Sequence, residues 1–279
     1  MIKISPGELK MIAGYIYDIS GIYLDQSKTY LVETRLKQLV RESGSASYHE
    51  LCRKAKSDST SSLESKIIDA ICTQETMFFR DNSPFELLKS RILPELIGRK
   101  DAQASAFPPG IRIWSAGCST GQEIYSIAMV LREFLPNPAK YNIRLLGTDI
   151  SDFAVSAAAS GEYSRAAVER GLSEDKLTRY FVQKGEKWKV RDDIRSMCSF
   201  RKLNLMKPLN GLGSFDIVFC RNVAIYFQQK DKIMLFNRIA DILEPGAYLI
   251  IGSSESISGF SSRFEAVSHL NMIYYRLKE

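Results

Sequence analysis

A doubly wound α/β sheet with a small all-helical unit in front of it is the fold this sequence predicts. Three observations carry that expectation. Up to about residue 72, apolar side chains recur at helical spacing between Gly- and Ser-rich breaks; beyond residue 110, strand-like and helix-like segments alternate; and a glycine turn joins the first of those strands to the first of those helices. With 279 residues, 45% of them hydrophobic, the chain can bury a full core and suits one large domain beside a smaller one.

Ser5-Pro6-Gly7-Glu8 is a capping box with proline in the first turn, so a helix is expected from there to Ser20-Gly21. Helical spacing recurs over Lys28 to Glu42, Ser47 to Ala55 and Ser61 to Cys72. In the second of these helices Val32, Leu36, Leu39 and Val40 share one face, Lys28 and Arg35 flank it, and Lys37 and Arg41 lie together on another side. That basic surface is either a solvated helix face or a docking surface for an acidic helical partner. After the polar stretch Asp101 to Gly110, a strand is expected over Ile111 to Ala116, a helix over Gly121 to Phe134, a strand over Asn142 to Thr148 and a helix near Asp152 to Ser160. Lys187 to Leu205 alternates like a small ribbon inserted into or beside the sheet. The strand Phe215 to Cys220, the helix Lys230 to Leu243, the strand Tyr248 to Gly252 and a hairpin of Phe264 to Val267 with Met272 to Leu277 complete the pattern.

Composition excludes several classes of function. No window approaches the roughly 18 to 20 uninterrupted apolar residues of a membrane span, and the opening MIKISPGELK lacks the apolar core of a secretion signal, so a cytoplasmic location is expected. Cys52, Cys72, Cys118, Cys198 and Cys220 are scattered without metal-ligand spacing and read as reduced thiols. The two histidines, His49 and His269, sit beside no nucleophile motif, which argues against histidine-dependent acyl transfer and against a histidine-rich metal site; no metal is expected. The net charge of +6 suits an acidic partner without choosing among nucleic acid, membrane surface and acidic protein.

In an open α/β sheet, ligands sit beyond the carboxyl ends of the strands, which directs attention to the turn Ser115-Ala-Gly-Cys-Ser-Thr-Gly121. Gly117 and Gly121 allow a sharp bend and a close approach to a ligand. Their spacing is not G-x-G-x-x-G, and no Lys-Ser or Lys-Thr follows, so a pyrophosphate is disfavoured. The second strand ends in Thr148-Asp149, where a carboxylate can accept both hydroxyls of a ribose. A nucleoside without phosphates fits, and a purely structural turn fits equally.

Two further segments, Gln74 to Asp81 before the sheet and Phe219 to Phe227 after the fourth strand, add specificity. With them the chain resembles the chemotaxis-receptor glutamate methyltransferases, the CheR family, over nearly its whole length. The matching pieces are TQETMFFRD, IRIWSAGCSTGQEIYSIA, TDIS, GEY followed by RYF, FRKLNL, FDIVFCRNVAIYF and LEPGAYLIIGSSES. The resemblance implies a class I methyltransferase sheet with an inserted antiparallel β-subdomain at about 180–205. It divides the chain into a helical receptor-docking domain (1–75), a linker with a cofactor-contacting helix (76–110) and the methyltransferase domain (111–279). It implies S-adenosylmethionine as cofactor, S-adenosylhomocysteine as product and receptor glutamates as substrate. The implied cofactor contacts are Gln74, Thr76, Arg80, Glu123 and Asp149, together with Asn204, Leu205, Arg221 and Asn222. Arg80 and Tyr226 are implied to lie nearest the transferred methyl group.

These roles suit the residue types: the cofactor's methionine end wants a guanidinium (Arg80 or Arg221) for its carboxylate and an acid (Glu123) for its ammonium. Asp149 takes the ribose and Asn204 the adenine edge. The plainer alternatives are surface pairing for Arg80 and Glu123 and core packing for Tyr226. The partner implied is the cytoplasmic helical bundle of a receptor, met by the basic helix 28–42 (Lys28, Arg35, Lys37, Arg41), with no nucleic acid, no membrane insertion and a monomeric chain. Two positions depart mildly from the family, Gln74 for asparagine and Ala224 for a bulkier apolar residue. Val182 to Val190 carries a single glycine, Gly185, where family members that grip a receptor C-terminal pentapeptide have a longer loop, so no such tether is expected. An RNA methyltransferase and a non-catalytic cofactor sensor stay as alternatives.

Overall fold

The computed structural model describes residues 4–102, 107–269 and 272–278, so the expected break between Asp101 and Gly110 falls partly outside the described residues. Four helices form the first unit: α1 (Pro6–Ser20), α2 (Thr29–Glu42), α3 (Tyr48–Ser57) and α4 (Ser62–Ile71). The capping box is present, with Ser5 Oγ accepting from Glu8 N and the Glu8 carboxylate accepting from Ser5 N. Gly21 ends α1 at φ 77, a left-handed C-cap that a side chain resists. Val32, Leu36, Leu39 and Val40 are buried as the spacing predicts, packing on Ile12, Ile16, Leu51 and Ile67 in a separate core.

Two helices that the periodicity did not resolve, α5 (Ser83–Leu87) and α6 (Leu93–Ala102), run on through a π-helical turn at Leu88–Ile92. The second unit is built on β1 (Gly110–Ala116), α7 (Gln122–Phe134), β2 (Asn142–Asp149) and α8 (Asp152–Ser160). Then come β3 (Glu162–Ser164), α9 (Arg165–Glu169), α10 (Glu174–Tyr180), β4 (Phe181–Lys184), β5 (Lys187–Val190), α11 (Asp192–Arg195) and β6 (Cys198–Lys202). The chain closes with β7 (Phe215–Cys220), α12 (Gln229–Asp241), β8 (Leu243–Ile251), β9 (Phe264–His269) and β10 (Met272–Leu277).

The large sheet runs β6-β2-β1-β7-β8-β10-β9, parallel apart from the terminal hairpin. The chain order reverses at β1, between β2 and β7, which makes the carboxyl ends of these strands the crevice for a ligand. Apolar side chains cover both faces, Ile113, Ile217 and Ile250 on one and Trp114, Val218 and Leu249 on the other. The small sheet differs in extent from the expected ribbon. It is β3-β5-β4, drawn from residues 162–190, whereas Cys198–Lys202 pairs in parallel with β2 at the edge of the large sheet. Alternation alone cannot separate a ribbon strand from an edge strand, because both bury one face. No helix among the described residues is long and apolar enough to cross a membrane.

Candidate active site

A cavity of about 520 Å³ opens at the reversal point. Its floor is the β1–α7 turn (Gly117, Cys118, Ser119), its sides are the ends of β2 (Asp149, Ile150), β6 (Leu203 to Leu205) and β7 (Arg221 to Val223), and Thr73 to Thr76 with Arg80 closes one flank. The remaining wall comes from the helical unit, through Ser20 to Asp25 and Lys28. That unit is fastened over the sheet at several points. Tyr17 Oη donates to Asp231 Oδ2 (2.7 Å), Ser151 Oγ donates to Asp69 Oδ1 (2.7 Å), and Tyr23 N donates to Tyr226 O (2.9 Å).

The glycine turn serves the purpose its spacing suggests. Gly117 sits at φ 76, and a Cβ there would lie 2.4 Å from Val223 Cγ2, so only glycine lets the turn close beneath the ligand space. Asp149 accepts from Ser119 N (2.9 Å) on one oxygen and from Ser151 N (3.0 Å) on the other. Each oxygen keeps a lone pair for a hydroxyl. Burial pushes the Asp149 carboxyl above its ordinary range, against backbone hydrogen bonding from Ser151, Ser119 and Ile150, and it lies at the cavity wall. Burial also raises the thiols beside it, Cys118 well above its usual value and Cys72 to about 12, so neither presents a thiolate at neutral pH.

Every residue expected to hold the cofactor lines this cavity, and so does Tyr226, 37% exposed at the mouth. Their hydrogen bonds divide them. Gln74 Oε1 accepts from Ser119 Oγ (3.0 Å), which ties the 73–76 segment to the glycine turn. Arg80 Nη1 donates to the Glu75 carbonyl (3.2 Å). Arg221 is a buried clamp, its side chain 1% exposed, with Nη1 on Glu123 Oε2 (2.9 Å) and Nη2 on both Asp81 Oδ2 (2.8 Å) and Arg80 O (2.9 Å). Of the two guanidiniums, Arg80 is the one open to a ligand carboxylate. Glu123 is shared as well, since its Oε1 accepts from Ser115 Oγ (2.8 Å). Asn204 donates to Ile19 O (2.9 Å) and accepts from Met206 N (2.9 Å), so its amide joins the two units as much as it faces the cavity.

Sequence reasoning missed Ser119, Asp81 and the helical unit's loop at Ser20 to Asp25. The first two stood inside the matching motifs without a role; the loop meets Tyr226, through Tyr23 N, across some 200 positions of chain, for which a single sequence carries no signal. The cavity suits S-adenosylmethionine: its volume fits a small-molecule site, a carboxylate stands at the second strand's end, and its lining combines the Arg80 guanidinium, bonded among the described residues only to the Glu75 carbonyl, with apolar Leu203, Leu205 and Ile150.

Residues 74–273 match the family model for the CheR methyltransferase SAM binding domain, and residues 7–72 match the CheR all-alpha domain. The chain belongs to the CheR methyltransferase family. It is 40% identical over 262 residues to the chemotaxis protein methyltransferase Cher2 of Pseudomonas putida, covering 92% of this chain and 93% of that one. It is also 40% identical over 275 residues to chemotaxis protein methyltransferase 1 of Pseudomonas aeruginosa, covering 97% and 98%. The large sheet is therefore a class I S-adenosylmethionine-dependent methyltransferase fold, and the cavity at its reversal point is formed by the SAM-binding domain with one wall from the all-alpha domain.

Proposed function

We propose that this CheR-family chain forms glutamyl methyl esters on the helical bundle of chemotaxis receptors, using the cavity at the β1 reversal point as its cofactor site. The observation that carries this reading is the meeting of Asp149, Glu123, Arg80 and Tyr226 in one cavity inside the matched SAM-binding domain. Asp149 holds the ribose, Arg80 the methionine carboxylate, and Glu123 the ammonium. When bound, S-adenosylmethionine supplies a methyl group on a positively charged sulfur.

The chain's own residues have a modest chemical task. A glutamate carboxylate is already ionised at neutral pH, so no general base is required, and the raised thiols at Cys72 and Cys118 do not compete as nucleophiles. Alignment and exclusion of water remain. A hydrogen bond from the Tyr226 hydroxyl or from Arg80 to the incoming carboxylate would partly offset its dehydration, and exposed Ile225 and Tyr23 add an apolar rim to the cavity.

Docking falls to the exposed side of α2. Of the four cations expected there, Lys28 lies on the cavity wall and Arg35 is bonded to the Ile71 carbonyl and the Thr73 hydroxyl, while Arg41 is exposed and Lys37 half-buried beside the buried seam. An acidic receptor helix that meets Lys37 and Arg41 brings its glutamates toward Lys28 and the mouth. The two-residue turn Gly185-Glu186 between β4 and β5 supports action without a pentapeptide tether. Arg41→Glu is expected to raise the receptor KM severalfold with unchanged S-adenosylhomocysteine affinity. An unchanged KM removes α2 from docking, and saturable binding of a receptor C-terminal peptide removes the tether-free reading.

A further inference from the structure

Six non-glycine residues with a left-handed backbone occur among the described residues. Ser61 is one; the others, Phe79, Asp81, Asn82, Ser119 and Asn222, lie at the cavity or in the loop that carries Arg80. Side chains strain such a backbone, and the strain persists only where surrounding contacts over-determine it. Around Arg80 those contacts are specific. Phe79 N donates to Ser126 Oγ (3.0 Å), Gly171 packs so closely that a Cβ would lie 2.0 Å from the Phe78 carbonyl oxygen, and Arg221 grips both the Arg80 carbonyl and the Asp81 carboxylate.

We propose that Asp81, which does not itself line the cavity, is a positioning residue. Its ion pair with buried Arg221 holds the strained Phe79–Asn82 turn in the conformation that keeps Arg80 on the cavity wall. The proposal rests on the assignment of Arg80 to the cofactor's carboxylate. Three of the four residues Phe79 to Asn82 have positive φ, so without the carboxylate the turn has a less strained alternative and Arg80 is in place only part of the time. Apparent cofactor affinity falls by that fraction, although Asp81 touches no cofactor atom. Arg221 keeps Glu123 and the Arg80 carbonyl, so the fold survives the loss.

The test is calorimetric titration of the full chain with S-adenosylhomocysteine, across Asp81→Gly, Asp81→Asn, Arg80→Ala and the Arg80→Ala, Asp81→Gly double variant. Glycine removes the carboxylate while tolerating φ 66; asparagine keeps an acceptor oxygen and also tolerates that backbone. Asp81→Gly is expected to weaken binding about tenfold and Asp81→Asn by no more than about threefold. In the Arg80→Ala background Asp81→Gly is expected to add nothing further. A tenfold penalty in both backgrounds, or none from Asp81→Gly alone, overturns the role of Asp81 and leaves Arg80 in place. Unchanged binding by Arg80→Ala overturns the assignment of Arg80, and the proposal with it.

Discussion

Replacing Arg221 with methionine separates two roles for this side chain. As a ligand for the cofactor's carboxylate, the role the family resemblance offers to it or to Arg80, it would be dispensable for the fold. The structure makes it a buried cation between Glu123, whose side chain is 13% exposed, and Asp81, 36% exposed, with its guanidinium 5.8 Å from the Phe85 ring centroid. Removing one partner of a buried pair leaves an uncompensated charge and costs about 3–5 kcal/mol. Because Asp81 is more than a third open to solvent, its share is discounted and the lower end, about 3 kcal/mol, applies here. At roughly 2–4 °C per kcal/mol for a chain of this size, the cofactor-free Arg221→Met protein should melt about 6–12 °C below the wild type. Scanning calorimetry reads that shift, and adding Glu123→Gln should recover part of it, because the stranded carboxylate is gone. A melting temperature within about 1 °C of the wild type, with cofactor affinity alone reduced, would refute the clamp and restore Arg221 as a direct ligand.

Other perturbations read other parts of the site. Tyr226→Phe removes one hydrogen bond to a charged group, about 1.5–3 kcal/mol, so turnover should fall roughly 10- to 100-fold with S-adenosylhomocysteine affinity unchanged; unaltered turnover removes Tyr226 from the chemistry. Gly117→Ala places a methyl group 2.4 Å from Val223 at φ 76, adding about 1–2 kcal/mol of backbone strain plus a clash, and should lower cofactor affinity at least tenfold. In the helical unit, local hydrogen bonds hold Glu8, Asp25, Glu50 and Asp58 below their ordinary values, from Ser5, Ser27, Ala46 and Thr60 in turn. Folded values below unfolded ones mean stability that is present at neutral pH and lost as pH falls below about 4. Asp149 runs the other way: its raised value makes its ionisation cost stability as pH rises, and acid relieves that cost. On acidification, amide exchange should therefore quicken in residues 4–72 before it does in β1, β2 and β7; the reverse order would contradict the assignment.

Much of the fold was legible because local chemistry and periodicity agreed. The capping box at Ser5 and Glu8, the buried seam of α2 and the alternation from β1 to α8 each rest on contacts a few residues apart. The small sheet was misjudged at its ends because β6 and β5 both bury one face, and what assigns β6 to the large sheet is its pairing with β2 some 50 residues away. The same distance rule governs the site. Gly117 and Asp149 declare themselves by position at strand ends, whereas the division of labour between Arg80 and Arg221 does not, because it depends on which guanidinium the fold buries. Helix α2 is a mixed case: its apolar face was readable, but the tie of Arg35 to Ile71 and Thr73 belongs to tertiary packing.

The most direct measurement is transfer of labelled methyl from S-adenosylmethionine to membranes containing receptors from the same organism, followed by mild alkali. The account predicts base-labile label on receptor glutamates, released as volatile methanol and abolished by Asp149→Ala. Label that survives alkali, label confined to RNA, or cofactor binding without transfer would contradict it.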